Sequence, residues 1–199
     1  MIYLNNSYKI VCIGDSLTFG YGIPQKESWT HLLKEDLKLN LINKGINGDT
    51  SIGLLSRFFK DVLTNKPQIC IIMCGTNDIL SNRSVNSIID NINIMIKDCL
   101  LNNIIPIILS PPKTFKSLAQ KLWNDSINYI KINNNLNLLN KELEKLCILN
   151  NIYFLDIYNL IKEENIYFND GIHLSKYGNY LMFNEIKNLL ITNFPYKYR

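Results

Sequence analysis

Residues at four separated places in this chain have the side chains that acyl transfer needs: Ser16, Gly48, Asn77 and the pair Asp170 and His173. A serine hydroxyl attacks a carbonyl only when a base takes its proton, and histidine is the side chain suited to that task near neutral pH. The imidazole in turn needs a carboxylate that fixes its tautomer and stabilises the imidazolium. Asp170 and His173 stand three apart on one turn and can face the same side. A tetrahedral oxyanion needs preorganised donors. The Ser16 N–H, the Gly48 N–H (bare of a side chain, so substrate can approach) and the Asn77 amide would supply three.

Each residue taken alone has a plainer reading. Gly14-Asp15-Ser16 ends a strand, and Asp or Ser there often caps the next helix. Asn77 alone is a turn residue, and His173 alone is a capping or hydrogen-bonding residue before the last helix. The joint pattern carries the chemistry. The chain has only two histidines. His31 sits within a predicted helix as a surface or packing residue, which leaves His173 as the base.

Several other chemistries fit less well. The Gly-x-Ser-x-Gly elbow is absent, because Thr18 stands where its second glycine belongs. Neither a Gly-x-Gly-x-x-Gly turn nor a P-loop lysine follows the first strand. Asp15, Asp49, Asp78 and Asp170 could crowd one edge as ligands of a hard cation, but local bonds from Asp15 and Asp78 to loop N–H groups are preferred. A binding module without catalysis would not require Ser, Asn and Asp-x-x-His together.

These residues fall at strand ends. Strands are predicted over Lys9 to Gly14, Leu39 to Ile46, Ile69 to Cys74, Ile104 to Leu109 and Ile152 to Leu155. The third is apolar on both faces, as a central parallel strand should be. Residues 15 to 27 are expected to be a loop. Helices are predicted from Ser28 to about Lys38, after Ser51 to about Asn65, from Ser84 to Leu101, from Ser126 to Asn150 and from Ser175 to Ile191. Residues 113 to 125 are a loop or a short helix, which leaves open a lid over 111–125. Strand–helix alternation argues for a parallel sheet covered on both faces. On that sheet, all four blocks lie along the carboxyl edge, where α/β sheets bind ligands.

The composition sets the background. The 199 residues form a single expected domain, 47% apolar, with mean hydropathy near zero. The net charge of +4 is scattered, so no nucleic-acid surface and no basic membrane patch are indicated. No apolar stretch reaches membrane-spanning length. Met1 to Ser7 shows no secretory pattern, and a cytoplasmic location with no membrane anchor is expected. The five cysteines are expected to be buried free thiols. Nothing in the sequence sets an oligomeric state.

With its four blocks in order, the chain resembles the SGNH (GDSL) hydrolase family. The blocks are Gly14-Asp15-Ser16-Leu17, Gly48, Gly75-Thr76-Asn77-Asp78 and Asp170-x-x-His173, and they span most of the chain. The continuations Thr18-Phe19-Gly20-Tyr21-Gly22 and Asn47-Gly48-Asp49-Thr50-Ser51 look closest to the arylesterase and acyl-thioesterase branch, although some thioesterases carry Gly-Gly-Asn-Asp in the third block. The resemblance implies a flavodoxin-like three-layer α/β/α fold with a five-stranded parallel sheet in order 2-1-3-4-5. It also implies hydrolysis of a small carboxylic ester or thioester with no metal and no cofactor. Ser16, His173 and Asp170 would form the triad, and Ser16, Gly48 and Asn77 the oxyanion hole. Tyr21, Ile23, Trp29, Phe115, Leu118 and Trp123 are candidates to line the substrate pocket, with core packing as the alternative for most of them. Short acyl esters, aryl esters, acyl thioesters, lysophospholipids and acetylated sugars all stay within this class.

Overall fold

Five short apolar runs assemble into one sheet in the computed structural model, which describes residues 8–194. The Met1 to Ser7 stretch, on which the expected location partly rests, lies outside them. The strands are β1 (Lys9–Gly14), β2 (Asn40–Gly45), β3 (Ile69–Met73), β4 (Ile105–Leu109) and β5 (Tyr153–Leu155). Their order is β2-β1-β3-β4-β5, and each neighbouring pair is parallel.

The connecting helices are α1 (Ser16–Phe19), α2 (Trp29–Asp36), α3 (Ser51–Asp61), α4 (Thr76–Leu80), α5 (Val85–Leu101), α6 (Lys116–Leu122), α7 (Tyr129–Asn150), α8 (Ile157–Leu160) and α9 (Lys176–Asn193). Alternate strand residues feed opposite faces, as the two-residue strand period requires. Val11, Ile13, Cys70, Ile72 and Ile108 pack with Leu54 and Phe58 of α3, Ile92 and Ile96 of α5, and Leu139 and Leu143 of α7. Ile10, Cys12, Ile71, Met73 and Ile107 pack with Trp29 and Leu33 of α2 and Met182 and Ile186 of α9. The sheet is thus the middle of three layers, which is the predicted architecture.

Caps fix where the helices start, and so where the strand-end turns lie. The side chains of Ser28, Thr50, Ser84 and Ser175 each accept a backbone N–H of the first turn they precede. Short helices, α8 among them, fall where the sequence pattern is weak. Residues 16–19, expected to be loop, form one helical turn, because Asp15 accepts the Leu17 N–H and left-handed Gly20 closes it onto the Ser16 carbonyl. Residues 76–80 form another after Gly75. The ambiguous 113–125 segment contains α6. The long helix begins at Tyr129 rather than Ser126, where the Asn128 side chain accepts the Lys131 N–H.

Candidate active site

Ser16 is the first residue after the cap of α1, at the end of β1 beside the centre of the sheet. Its side chain is presented by a hydrogen-bonded turn. Asp15 Oδ1 accepts the Leu17 N–H at 2.9 Å, and the Asp15 carbonyl accepts the Phe19 N–H at 2.9 Å. Ser16 Oγ lies 3.0 Å from His173 Nε2, across 157 residues of sequence.

His173 is held by the turn that precedes α9. Asp170 Oδ1 accepts the Ile172 N–H at 2.9 Å and the His173 N–H at 2.7 Å. Its other oxygen, Oδ2, is 2.7 Å from His173 Nδ1. An antiparallel bridge between Phe168 and Leu174 closes the loop at its base, and the Asn169 N–H donates to the His173 carbonyl at 2.9 Å. Gly171, at φ +90°, fits here because a Cβ would lie 2.3 Å from the Ala119 backbone nitrogen of α6. The Gly171 carbonyl accepts the Phe115 N–H at 2.8 Å, so the segment leading into α6 is tied to this turn.

Burial pushes the Asp170 carboxyl up, but the His173 ring hydrogen bond and the His173 and Ile172 amides outweigh it, and the carboxyl is held below its ordinary value. Asp170 therefore stays ionised at neutral pH. In the tautomer this sets, Nδ1–H donates to Asp170 and Nε2 accepts the Ser16 hydroxyl proton.

The turns that carry Gly48 and Asn77 adjoin the Ser16 turn: the Ile46 N–H donates to the Gly14 carbonyl at 3.0 Å and the Asn77 amide reaches Asp15 Oδ2 at 3.5 Å. Among the described residues, neither the Ser16 N–H nor the Gly48 N–H donates to a protein acceptor. Gly48 has φ +77°, and a Cβ there would meet nothing within 4 Å. The Gly48 turn thus faces open space and uses glycine for its backbone angle. The Asn77 amide donates to the Asp49 carbonyl at 2.9 Å, while its contact with Asp15 Oδ2 is long, at 3.5 Å. One amide hydrogen is thereby fixed, and the other makes only the long contact with Asp15 Oδ2. An amide that served as an oxyanion donor would cost about 10²–10³ in turnover on removal. Asn77→Ala is accordingly expected to lower kcat on a simple ester by about that factor with little change in KM, as steady-state kinetics would show.

Arg57, which the sequence did not single out, ties two of these parts together. Its guanidinium donates to Asp49 Oδ2 at 2.7 Å, to Asp61 Oδ2 at 2.8 Å and to the Gly14 carbonyl at 3.1 Å. It fastens the end of β1 to the loop that carries Gly48 and supplies the Asp49 carbonyl to Asn77. From sequence, Arg57 and Asp61 are merely an i,i+4 pair on one helix.

The acidic residues considered as a cation cluster have other partners. Asp49 accepts from Arg57 and from the Thr50 N–H. Buried Asp78 accepts the Ser51 N–H at 2.8 Å and the Ser51 hydroxyl at 2.7 Å, joining the Asn77 turn to α3. Among the described residues, no group of three or more His, Cys, Asp or Glu is placed to hold a metal ion. All five cysteines are buried and unpaired. Burial pushes up the thiols of Cys12, Cys70, Cys74 and Cys147, which makes them poor nucleophiles.

Asp15 is the electrostatic outlier. Burial pushes its carboxyl up to about 7, against the lowering effect of the Leu17 N–H and the His173 charge, with Asp78 and Asp49 adding to the rise. The folded protein holds this proton more tightly than the unfolded chain does. The stabilising contribution is therefore full in acid, below the ordinary carboxylate value, and is lost as pH rises through about 7. Asp15→Asn keeps an oxygen for the Leu17 N–H and removes the titration. Thermal melts from about pH 4 to about pH 8 are expected to decline less with pH in this variant than in the parent; parallel declines would remove the Asp15 assignment.

The predicted pocket residues divide. Tyr21 and Trp123 both reach the site: their ring centroids lie 4.4 and 5.2 Å from that of His173. Ile23 instead lines a groove of about 420 Å³ with Phe168, Lys176 and Tyr177. Phe115 packs near Phe168, ring centroids 6.2 Å apart, in the layer containing α2 and α9. Leu118 is half-buried in the same layer. Trp29 is a core residue, fully buried, whose indole N–H donates to the Leu17 carbonyl at 3.0 Å. For Trp29 the packing alternative holds.

Comparison with known proteins matches this geometry to a family. Residues 12–181 match the model of the GDSL-like lipase/acylhydrolase family. An arylesterase of Vibrio mimicus is 31% identical over 126 residues, covering 59% of this chain and 63% of that protein. An uncharacterized lipoprotein of Bacillus subtilis, YqeF, is 40% identical over 76 residues, or 35% of this chain and 31% of that protein. The matched stretches span less than two thirds of either relative. The crystal structure of a lipase/acylhydrolase from Enterococcus faecalis superimposes with a TM-score of 0.79 at 24% identity, over 96% of this chain and 100% of that one, a likeness of fold. The matched region includes the strand-end serine, the Gly48 and Asn77 turns and the Asp170–His173 loop, and the chain belongs to the GDSL-like lipase/acylhydrolase family.

Proposed function

We propose that the protein is a serine hydrolase that cleaves small carboxylic esters, and by the same chemistry thioesters, through a covalent acyl-enzyme. The observation that carries this reading is the relay Ser16 Oγ to His173 Nε2 at 3.0 Å and His173 Nδ1 to Asp170 Oδ2 at 2.7 Å. Family membership supports ester hydrolysis as the reaction class.

The steps follow from the relay. Ser16 Oγ attacks the acyl carbonyl carbon as its proton passes to His173 Nε2. The carbonyl oxygen becomes an oxyanion held by the Ser16 and Gly48 N–H groups and the Asn77 amide. Collapse breaks the bond to the leaving oxygen or sulfur, which takes the proton from Nε2. Water then enters, His173 takes one of its protons, and the acid departs as Ser16 regains its hydroxyl. Asp170 stays ionised throughout.

One catalytic domain over residues 1–199 is proposed, supported by both helical layers packing on the same sheet among the described residues. A small acyl ester or thioester is the proposed partner. Among the described residues no helix is long and apolar enough to cross a membrane. A cytoplasmic location is proposed on the five buried free thiols.

The experiment is a pH profile of nitrophenyl ester hydrolysis with and without chelator. A protonated Nε2 cannot accept the Ser16 proton, so kcat/KM is expected to fall as the solution is made acid and to be unaffected by chelator. A flat profile, or loss of activity to chelator, would contradict the reading.

A further inference from the structure

The loop between β2 and α3 carries Gly48 and lends the Asp49 carbonyl to the Asn77 amide, so its position sets where both groups stand relative to Ser16. Backbone bonds hold it sparingly. The Ile46 N–H donates to the Gly14 carbonyl at 3.0 Å, and the Asp49 N–H closes onto the Ile46 carbonyl at 3.2 Å. At Gly48 a Cβ would meet nothing within 4 Å, so packing does not fix that residue. The firmest anchor is the Asp49 carboxylate. Its Oδ1 accepts the Thr50 N–H at 2.9 Å, and its Oδ2 accepts the Arg57 Nε–H at 2.7 Å. Gly53 leaves room for it on α3, since a Cβ there would lie 1.8 Å from Asp49 Oδ1.

Arg57 joins this anchor to the strand that ends in the nucleophile. Its Nη2 group donates to the Gly14 carbonyl at 3.1 Å, the same oxygen that takes the Ile46 N–H. Its Nη1 group donates to Asp61 Oδ2 at 2.8 Å, and Asp61 Oδ1 accepts from Lys44 of β2 at 3.0 Å. Burial pushes the Asp61 carboxyl up, but the Arg57 and Lys44 hydrogen bonds outweigh it and hold the carboxyl below its ordinary value. Lys44, Asp61, Arg57 and Asp49 thus alternate in charge. The Arg57 and Asp49 side chains are only 14% and 13% exposed, where solvent screens a pair weakly. Three acceptors in three directions suit a planar guanidinium and not the compact ammonium of lysine.

An oxyanion donor helps only if it is already in place when charge develops. Ser16, Gly48 and Asn77 follow three different strands, β1, β2 and β3, so no local pattern keeps them together. Arg57 bridges the first of these strand ends to the second and, by way of the Asp49 carbonyl, to the third. We propose that Arg57 is a positioning residue of the hydrolysis, holding the Gly48 turn and the Asn77 amide in register with Ser16. The proposal rests on the roles given to those three residues in the preceding subsection. A brace that served only the fold would lower stability and leave the turnover of each folded molecule unchanged.

The test is kinetic, on variants whose folding is verified by circular dichroism and which are assayed well below their melting temperatures. Arg57→Met is expected to lower kcat on a nitrophenyl ester by about 10²-fold, the cost of a misplacement of about 1 Å, with KM nearly unchanged. Arg57→Lys, which keeps the charge and loses the fork, should fall between Arg57→Met and the parent. The decisive readout is the same substitution made in Asn77→Ala. There the amide that Arg57 positions is already gone, so Arg57→Met should cost clearly less than in the parent, a coupling that independent sites do not show. Asp49→Asn reaches the same link from the other side. It keeps an oxygen for the Thr50 N–H and the backbone carbonyl for Asn77, but turns an NH₂ group toward Arg57. It should also lower kcat at steady KM, and it takes the place of Arg57→Met in both backgrounds if that variant does not fold. A kcat close to that of the parent in the folded variants would overturn the proposal. So would a loss confined to KM, or the same factor in both backgrounds. If the parent neither hydrolyses an ester nor is labelled on Ser16 by a fluorophosphonate, the hydrolase reading itself fails and this proposal with it. An active parent with unaffected variants overturns the proposal alone.

Discussion

Ser16→Ala is expected to lower kcat on a simple ester by about 10⁴-fold or more while leaving the melting temperature nearly unchanged. Among the described residues, the Ser16 hydroxyl bonds only to His173, so its removal deletes no support of the fold. The Asp15 cap, the Leu17 N–H bond and the Gly20 closure of α1 are made without it. What disappears is the oxygen that lies 3.0 Å from His173 Nε2. Residual catalysis would come from the oxyanion donors and from substrate positioning, and those alone leave far less than the full rate. Steady-state kinetics and a thermal melt of the same preparation verify both halves. A large drop in melting temperature would mean that the serine is structural.

Asp170→Asn is expected to be nearly as damaging, about 10³–10⁴-fold in kcat, through a proton placed on the wrong atom. Asp170 Oδ1 accepts the Ile172 and His173 N–H groups, and Oδ2 faces Nδ1. An asparagine can keep the backbone bonds through its carbonyl oxygen. Its NH₂ group then faces Nδ1 and donates to it, so the imidazole carries its proton on Nε2. In that tautomer Nε2 cannot take the Ser16 proton. The loop and its hydrogen bonds to the α6 segment survive, so the loss should fall on kcat and not on folding. Raising the pH should restore little, since the defect is the tautomer and not the charge. A variant with near-parental kcat would remove Asp170 from the relay.

Much of this site was legible in the sequence, and for physical reasons. β1 and β3 are buried on both faces and so read as continuous apolar runs with abrupt ends, which located Ser16 and Asn77. Ser28, Ser84 and Ser175 are local caps, and local chemistry survives into the fold. Asp170 and His173 are three apart and meet through one turn. The residues that were not legible act over distances that no local pattern records. Arg57 reaches the Gly14 carbonyl across 43 residues. Asp78 was expected to bond loop N–H groups, and it reaches Ser51 at the start of α3. Among the pocket candidates, aromatic type alone could not separate Tyr21 and Trp123 at His173 from Trp29 in the core, because the distinction is made by tertiary placement: Trp29 opens α2 against the sheet, whereas Tyr21 follows α1 in a loop and Trp123 caps the end of α6. Helices α1 and α4 escaped notice because a single turn has no period to detect, and α1 is set by one cap and one left-handed glycine.

The central claim is that Ser16 is the nucleophile of the reaction. The most direct measurement is reaction of the protein with a fluorophosphonate, followed by intact-mass analysis and peptide mapping. The predicted result is a single adduct on Ser16, absent in Ser16→Ala and formed far more slowly in His173→Ala. An adduct on another residue, or no adduct under conditions where the ester is hydrolysed, would contradict the account.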